Sequence, residues 1–509
     1  MIDNYTLNDE GELVLDDSAI KSQAKWKKIA IISLILCICL VLLIVLIILL
    51  FSKSDEHNNK KNKVDENGEI LCTYNIDSIN ILTPIISSDF DDENFHCEIE
   101  IDNNIFPFSK YIKFNNTGYQ KVKYIIYGDI NMKNMFKGIK SLLMVEMNTN
   151  NNIKINSIES AFESCTNFFS FNITGFDTSQ LKSLNKIFYE TMISSLDGFN
   201  IDTKNIQDFS YFFAKTKISQ IDLSKFNTDK AINMSHMFSE CDGLQTLNLS
   251  NFITNNVKDM SNMFEKCESL YYLDLSNFIT SNVINMSEMF KDCILLNKLD
   301  IKSFDTTNVK DMSSMFSNCC SLKELNLKQF KTNNVINMEK MFNYCSKLEK
   351  LDLSGFNTEN VENMNSMFHL DRSLQELQIN FDTNKVKNMS NMFYFCENLR
   401  QLNLSKFTTS NVEDMSFMFY ECSNLIELNI PNFDTKNVLS MSYMFSDCIK
   451  LKTIDVSKFN TEKVVNMKGM FFNCKEITSL RLSNFKTINV LDTSVMFKYC
   501  TNLKEIELK

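Results

Sequence analysis

Residues 283–306 read VINMSEMFKDCILLNKLDIKSFDT, and this pattern recurs with a period of 26 residues through most of the chain. Phe290, for example, has counterparts at Phe238, Phe264, Phe316, Phe342, Phe368, Phe419 and Phe445, with one shorter step to Phe393. A fixed period of that length marks a stacked repeat architecture, in which each unit hides its apolar positions only against its neighbours.

The spacing inside the unit predicts how one coil is built. Leu273 and Leu275 stand two apart, and Tyr272, Asp274 and Ser276 alternate with them, as in a short strand with one buried face. Val283, Met286, Met289, Phe290 and Cys293 follow in steps of mostly three and four, which suit a helical or 3₁₀ turn with one inward stripe. Thr280 recurs at Thr306, Thr332 and Thr358, and Asn282 follows it two residues on. Such residues hydrogen-bond turn backbone and cap helical turns, so they mark the corner. The expected fold class is an α/β repeat solenoid with a parallel sheet of short strands and short helical or 3₁₀ turns.

Written as LxxLDLSxFxTxxVxxMSxMFxxC, the unit resembles the BspA-like leucine-rich repeats of the DUF285 type, found in surface proteins of bacteria and of some anaerobic or parasitic protists. The resemblance covers residues 124–509. It implies a leucine-rich-repeat solenoid displayed on a cell surface; it does not imply a substrate.

Taken in order, residues 1–28 are polar and end in Lys25, Trp26, Lys27 and Lys28. An uninterrupted apolar run follows at 29–51, long enough to cross a bilayer as a helix. It lacks the short core and small-residue cleavage site of a cleaved signal peptide, so a signal anchor is expected. Lysine counts flanking the run tie, but three lysines crowd its N-terminal edge, which places the short tail in the cytoplasm and the repeats outside the cell. Residues 52–68 form a polar stalk, and 69–123 read as a β-rich module capping the first coil of a solenoid over 124–509. In that setting Cys72 and Cys97 are disulfide candidates, and Asn115 and Asn172 head N-x-S/T glycosylation sequons.

The balance of 52 basic against 63 acidic residues gives a formal charge of -11, which argues against nucleic acid as a partner. The repeat cysteines, such as Cys267, Cys293 and Cys319, read as a reduced ladder inside the core, because free cysteine behaves as a small hydrophobe. Single cysteines that far apart make no zinc motif, no cofactor loop occurs, and four scattered histidines suggest no catalytic constellation, so no enzyme is expected. Partner binding is sought on the outward strand row Tyr272, Lys298, Glu324, Lys350 and Glu376, whose chemistry changes from coil to coil. The interval Phe368 to Phe393 is one residue short, and its coil carries Asp371 in place of cysteine with His369 and Arg372 beside it, a candidate non-periodic polar patch. Two functions follow from these features: surface recognition or adhesion towards a protein or glycan, and structural scaffolding, whether as an external coat or, with reversed topology, as an intracellular platform.

Overall fold

The computed structural model describes residues 5–7, 13–15 and 67–507. The chain divides into two units, residues 1–67 and 68–509. In the first, strands Tyr5–Leu7 (β1) and Leu13–Leu15 (β2) pair antiparallel. The membrane span expected at 29–51 lies outside the described residues, and among those that are described no helix is long and apolar enough to cross a membrane.

The second unit begins with a six-stranded sheet. Its strands are Asn67–Ile76 (β3), Cys97–Ile101 (β5), Asn104–Pro107 (β6), Gly118–Tyr127 (β8), Leu142–Thr149 (β10) and Ser170–Thr174 (β12), in the order β12-β10-β3-β8-β5-β6. Leu82–Pro84 (β4) pairs antiparallel with Tyr111–Lys113 (β7), and Ile130–Asn131 (β9) pairs parallel with Ile155–Ser157 (β11). Strand β10 runs antiparallel to β3 and parallel to β12, so one sheet passes directly from the expected cap into the first coils. Inside, the Tyr74 hydroxyl donates to the Ile85 carbonyl at 2.8 Å and meets the Tyr124 hydroxyl at 2.9 Å, so both buried phenols find partners.

Beyond β12 the repeats stack through an unbroken column of phenylalanine rings. From Phe238 to Phe497 neighbouring centroids lie 5.4 to 5.9 Å apart, as in the pair Phe290–Phe316 at 5.7 Å. Val283, Met286, Met289, Phe290 and Cys293 are all fully buried, so the inward stripe read from the sequence is correct.

The backbone that carries this stripe is not helical, and the α/β expectation is corrected to a β-solenoid: no helix, α or 3₁₀, occurs among the described residues. Packed helix axes need roughly 8–10 Å, whereas coils on this side repeat at the spacing of the Phe column. Alternate N–H groups therefore reach the next coil. Met286, Glu288, Phe290 and Asp292 donate to the carbonyls of Asp311, Ser313, Met315 and Ser317 at 2.8 to 3.1 Å, while Met289, Lys291 and Cys293 close tight turns onto residues three back. That alternation requires left-handed backbone at Glu288 (φ 56°) and Asp292 (φ 59°), and again in every following coil. A continuous file of parallel bridges runs beside it, from Ser183–Asp208 through Asn285–Asp311 to Asn466–Asp492.

The leucine strands also depart from expectation. Instead of one continuous parallel sheet they pair in twos: Tyr272–Asp274 with Lys298–Asp300, Lys350–Leu353 with Glu376–Ile379, Gln401–Asn403 with Glu427–Asn429, and Ser479–Arg481 with Glu505–Glu507. On this side the second phenylalanine column, Phe304–Phe330–Phe356, spaces its rings at 6.4 Å. Strand pairing needs about 4.8 Å, so strands that pinch into pairs leave neighbouring coils unpaired.

The corner threonines are inter-coil clasps, not helix caps. Thr306, fully buried, donates its hydroxyl to the Lys331 carbonyl at 2.9 Å and accepts the Lys331 N–H at 2.8 Å; Thr254, Thr280 and Thr409 do the same. Asn282 and Asn308 reach back to the preceding coil's carbonyls at 2.7 and 2.8 Å.

Candidate recognition surfaces

The alternation of the leucine strands puts Tyr272, Lys298, Glu324, Lys350 and Glu376 on the exposed side, while Leu273 and Leu351 between them are buried. Parallel register sets Tyr272 against Lys298 and Lys350 against Glu376. The Lys298 ammonium lies 5.4 Å from the Tyr272 ring centroid, and Lys350 pairs with Glu376 at 2.6 Å. Both contacts are well exposed and contribute little to stability. Glu324 belongs to the unpaired coil between the two strand pairs, and there the face opens into a hollow of about 570 Å³, lined among others by Lys323, Glu324, Leu325, Asp352 and Gln378.

The one-residue-short coil keeps its place in the stack, with Phe368 and Phe393 at 5.5 Å and 9°. Its three polar residues do not form a shared patch, which corrects the expectation. Asp371 is fully buried in the cysteine ladder, where one carboxylate oxygen accepts the Cys345 N–H at 2.7 Å and the other has no partner. Burial raises its pKa well above the ordinary carboxyl value, only partly offset by the Cys345 N–H. His369 is half-buried, stacks on Tyr394 at 4.6 Å and meets the Asn343 amide oxygen at 2.9 Å. Only Arg372 is exposed, over the Phe395 ring at 5.3 Å and 3.3 Å from Glu397. Sequence spacing counted these residues as neighbours but could not say that position 371 points inward; its alignment with the cysteines was the available signal.

The ladder cysteines are free and, apart from the half-buried last rung Cys500, buried, each thiol donating to the carbonyl of a phenylalanine in the preceding coil, as Cys293 does to Phe264 at 3.1 Å. Desolvation raises the Cys241 thiol to about 12 and the Cys267 and Cys319 thiols further, each beside neighbouring rungs. Cys72 and Cys97 are free as well, against the disulfide expectation. Strand β8 lies between β3 and β5, so the two cysteines sit two strand spacings apart, about 9–10 Å, beyond the roughly 7 Å that a disulfide tolerates between Cα atoms. Asn115 is exposed at the rim of a cleft of about 410 Å³ that Phe106 and Tyr111 also line. Asn172 is exposed on β12 with its side chain against Gly198, where a Cβ would come within 2.8 Å.

Among the described residues no three His, Cys, Asp or Glu side chains converge on a metal position. His236 stacks on Tyr211 at 4.2 Å, as His369 does on Tyr394, and burial lowers the pKa of both imidazoles.

The repeat family described as "Mycoplasma protein of unknown function, DUF285" matches residues 130–252, 192–293, 233–351, 318–425, 344–450 and 396–508. No curated protein matches the chain. Among solved structures, a leucine-rich cell surface protein from Faecalibacterium prausnitzii is 13% identical, with a TM-score of 0.28, over 84% of this chain and 95% of its own. The functional domain of InlJ from Listeria monocytogenes, which includes a cysteine ladder, is 14% identical with a TM-score of 0.21, over 63% of this chain and 70% of its own.

Proposed function

The chain belongs to the DUF285 family, and from that premise we propose that it is a cell-surface recognition protein that binds a protein or glycan through the exposed side of its solenoid. One observation carries the reading. The buried positions repeat almost without change, whereas Tyr272, Lys298, Glu324, Lys350 and Glu376 occupy one exposed column and differ in charge, size and aromaticity. A partner that recognises one place along a solenoid needs such variation. The two described coil histidines are engaged with tyrosine rings, which favours binding over catalysis. The apolar run at 29–51 supports attachment to a membrane with the repeats outside.

Intact cells carrying the full chain are treated with protease and then scored for attachment to their natural surface. The reading expects the repeats to be cleaved and attachment lost. It also expects the combined K298A, E324A, K350A and E376A variant to attach more weakly at equal surface abundance. Repeats protected from protease, or unchanged attachment by the variant, would overturn it.

A further inference from the structure

The turn side of the solenoid carries its own columns of buried to half-buried side chains, and for most of their length these are short or polar. The column through His369 runs Ser239, Glu265, Lys291, Ser317 and Asn343 before it. After it the character changes abruptly. Tyr394 and Tyr420 take the next two places, Phe417 and Tyr443 fill an adjacent column, and Phe395 stands beside them, all half-buried. The rings pack on one another: Tyr394–Tyr420 at 4.9 Å, Phe417–Tyr443 at 5.2 Å and Phe395–Tyr420 at 5.6 Å. Tyr443 lies over Gly469, where a Cβ would meet its ring at 2.4 Å. Among the described residues the hydroxyls of Tyr394, Tyr420 and Tyr443 find no hydrogen-bond partner.

Acidic groups border the cluster. Glu397 is matched by Arg372, and Asp447 is held by the Ser446 hydroxyl at 2.7 Å and the Asn473 amide at 2.6 Å. Glu421, half-buried next to Tyr420, makes no ion pair among the described residues; burial and the nearby charges of Asp447 and Glu397 raise its pKa, which the more distant charge of Arg372 only partly offsets. Three carboxylates thus face one guanidinium. The chain itself shows what such a place accommodates: Arg372 lies over Phe395 while forming an ion pair with Glu397. An earlier aromatic cluster on the same side, Tyr189 with Tyr211, is served by Lys186 and Lys215 at 5.3 to 5.7 Å from the ring centroids. At Tyr420 and Glu421 an aromatic ring and a carboxylate stand side by side, and among the described residues no lysine or arginine contacts either.

We propose that Tyr394, Phe395, Phe417, Tyr420 and Tyr443, with Glu421, form a docking site for an arginine-bearing segment of a partner protein. The guanidinium stacks on the exposed aromatic edge and bonds Glu421, combining cation–π attraction with a charge-assisted hydrogen bond. Aromatic-rich clusters of this kind anchor protein interfaces. The proposal rests on the recognition reading and names the partner's chemistry.

The test titrates the full-length protein with a fluorescent Arg-Gly-Ser nonapeptide containing two arginines, and with its citrulline twin, which keeps the shape without the charge. The arginine peptide is expected to bind at least about tenfold more tightly than the twin. E421Q and Y420L should each weaken it by about tenfold, whereas E324Q on the strand face should leave it unchanged. E421Q removes only a charge, so it remains decisive if Y420L proves less stable. Equal binding of the two peptides, wild-type binding by E421Q, or an equal loss in E324Q would overturn the proposal. None of these results touches the attachment assay with the strand-face variant, so failure here is distinguishable from failure of the recognition reading.

Discussion

Replacing Asp371 by cysteine should stabilise the solenoid at neutral pH. In ordinary rungs the thiol donates to a phenylalanine carbonyl of the preceding coil, as Cys345 does to Phe316 and Cys396 to Phe368, both at 3.1 Å. At position 371 a carboxyl occupies the rung, one oxygen is unpartnered, and among the described residues the Phe342 carbonyl accepts only the Cys345 N–H, at 3.1 Å. A neutral carboxyl can mimic the thiol as donor; a carboxylate cannot, and it would be a buried unpaired charge. Folding therefore favours the proton. Unfolded, the same side chain releases it above the ordinary value of about 3.9. The folded state then binds one proton more than the unfolded state, so stability falls as pH rises from the ordinary value towards the raised one. While the carboxyl stays neutral, each pH unit above the ordinary value costs up to about 1.4 kcal/mol. Urea unfolding of D371C and wild type at pH 5, 6 and 7 reads this directly. The variant should be more stable, by a margin that grows with pH, by up to about 1.4 kcal/mol per unit. A margin independent of pH, or a less stable variant, would refute the argument that position 371 is neutral in the fold.

Phe316→Asp places a carboxylate between rings stacked at 5.7 and 5.8 Å and should cost several kcal/mol, while Lys298→Ala on the exposed face should stay within about 0.5 kcal/mol; equal shifts in Tm would contradict the burial pattern. Thr306→Val keeps the shape but leaves the Lys331 N–H and carbonyl without their clasp, which should lower stability by about 1–3 kcal/mol in the same urea assay. Among the cysteines of residues 67–507, the half-buried Cys97, Cys320 and Cys500 should react with a thiol reagent in the native protein, and the buried rungs only after unfolding; fast native reaction of Cys293 or Cys319 would show that the ladder is open.

The sequence by itself determined the period, the inward stripe and the exposed rows. Val283, Met286, Phe290 and Leu273 are buried, and Tyr272 and Lys298 exposed, because an apolar side chain repeated in every coil has nowhere to go but the shared interior. It also determined that the repeat cysteines act as small core residues. What only the tertiary structure decided was the backbone between them. Steps of three and four at Met286, Met289 and Phe290 are equally compatible with a helix and with alternating tight turns, and the choice belongs to the next coil, whose carbonyls stand at hydrogen-bond distance and leave no room for a helix. The left-handed positions carry no sequence signal: His236, Glu288, Ser314, Lys340 and Phe417 all adopt them, since the inter-coil bonds outweigh the local preference. The same holds for the sites. Asp371 and Arg372 are adjacent in the chain, yet one is sealed in the core and the other lies on the surface, whereas Phe395, Tyr420 and Tyr443 are far apart in sequence and meet only because successive coils stack them.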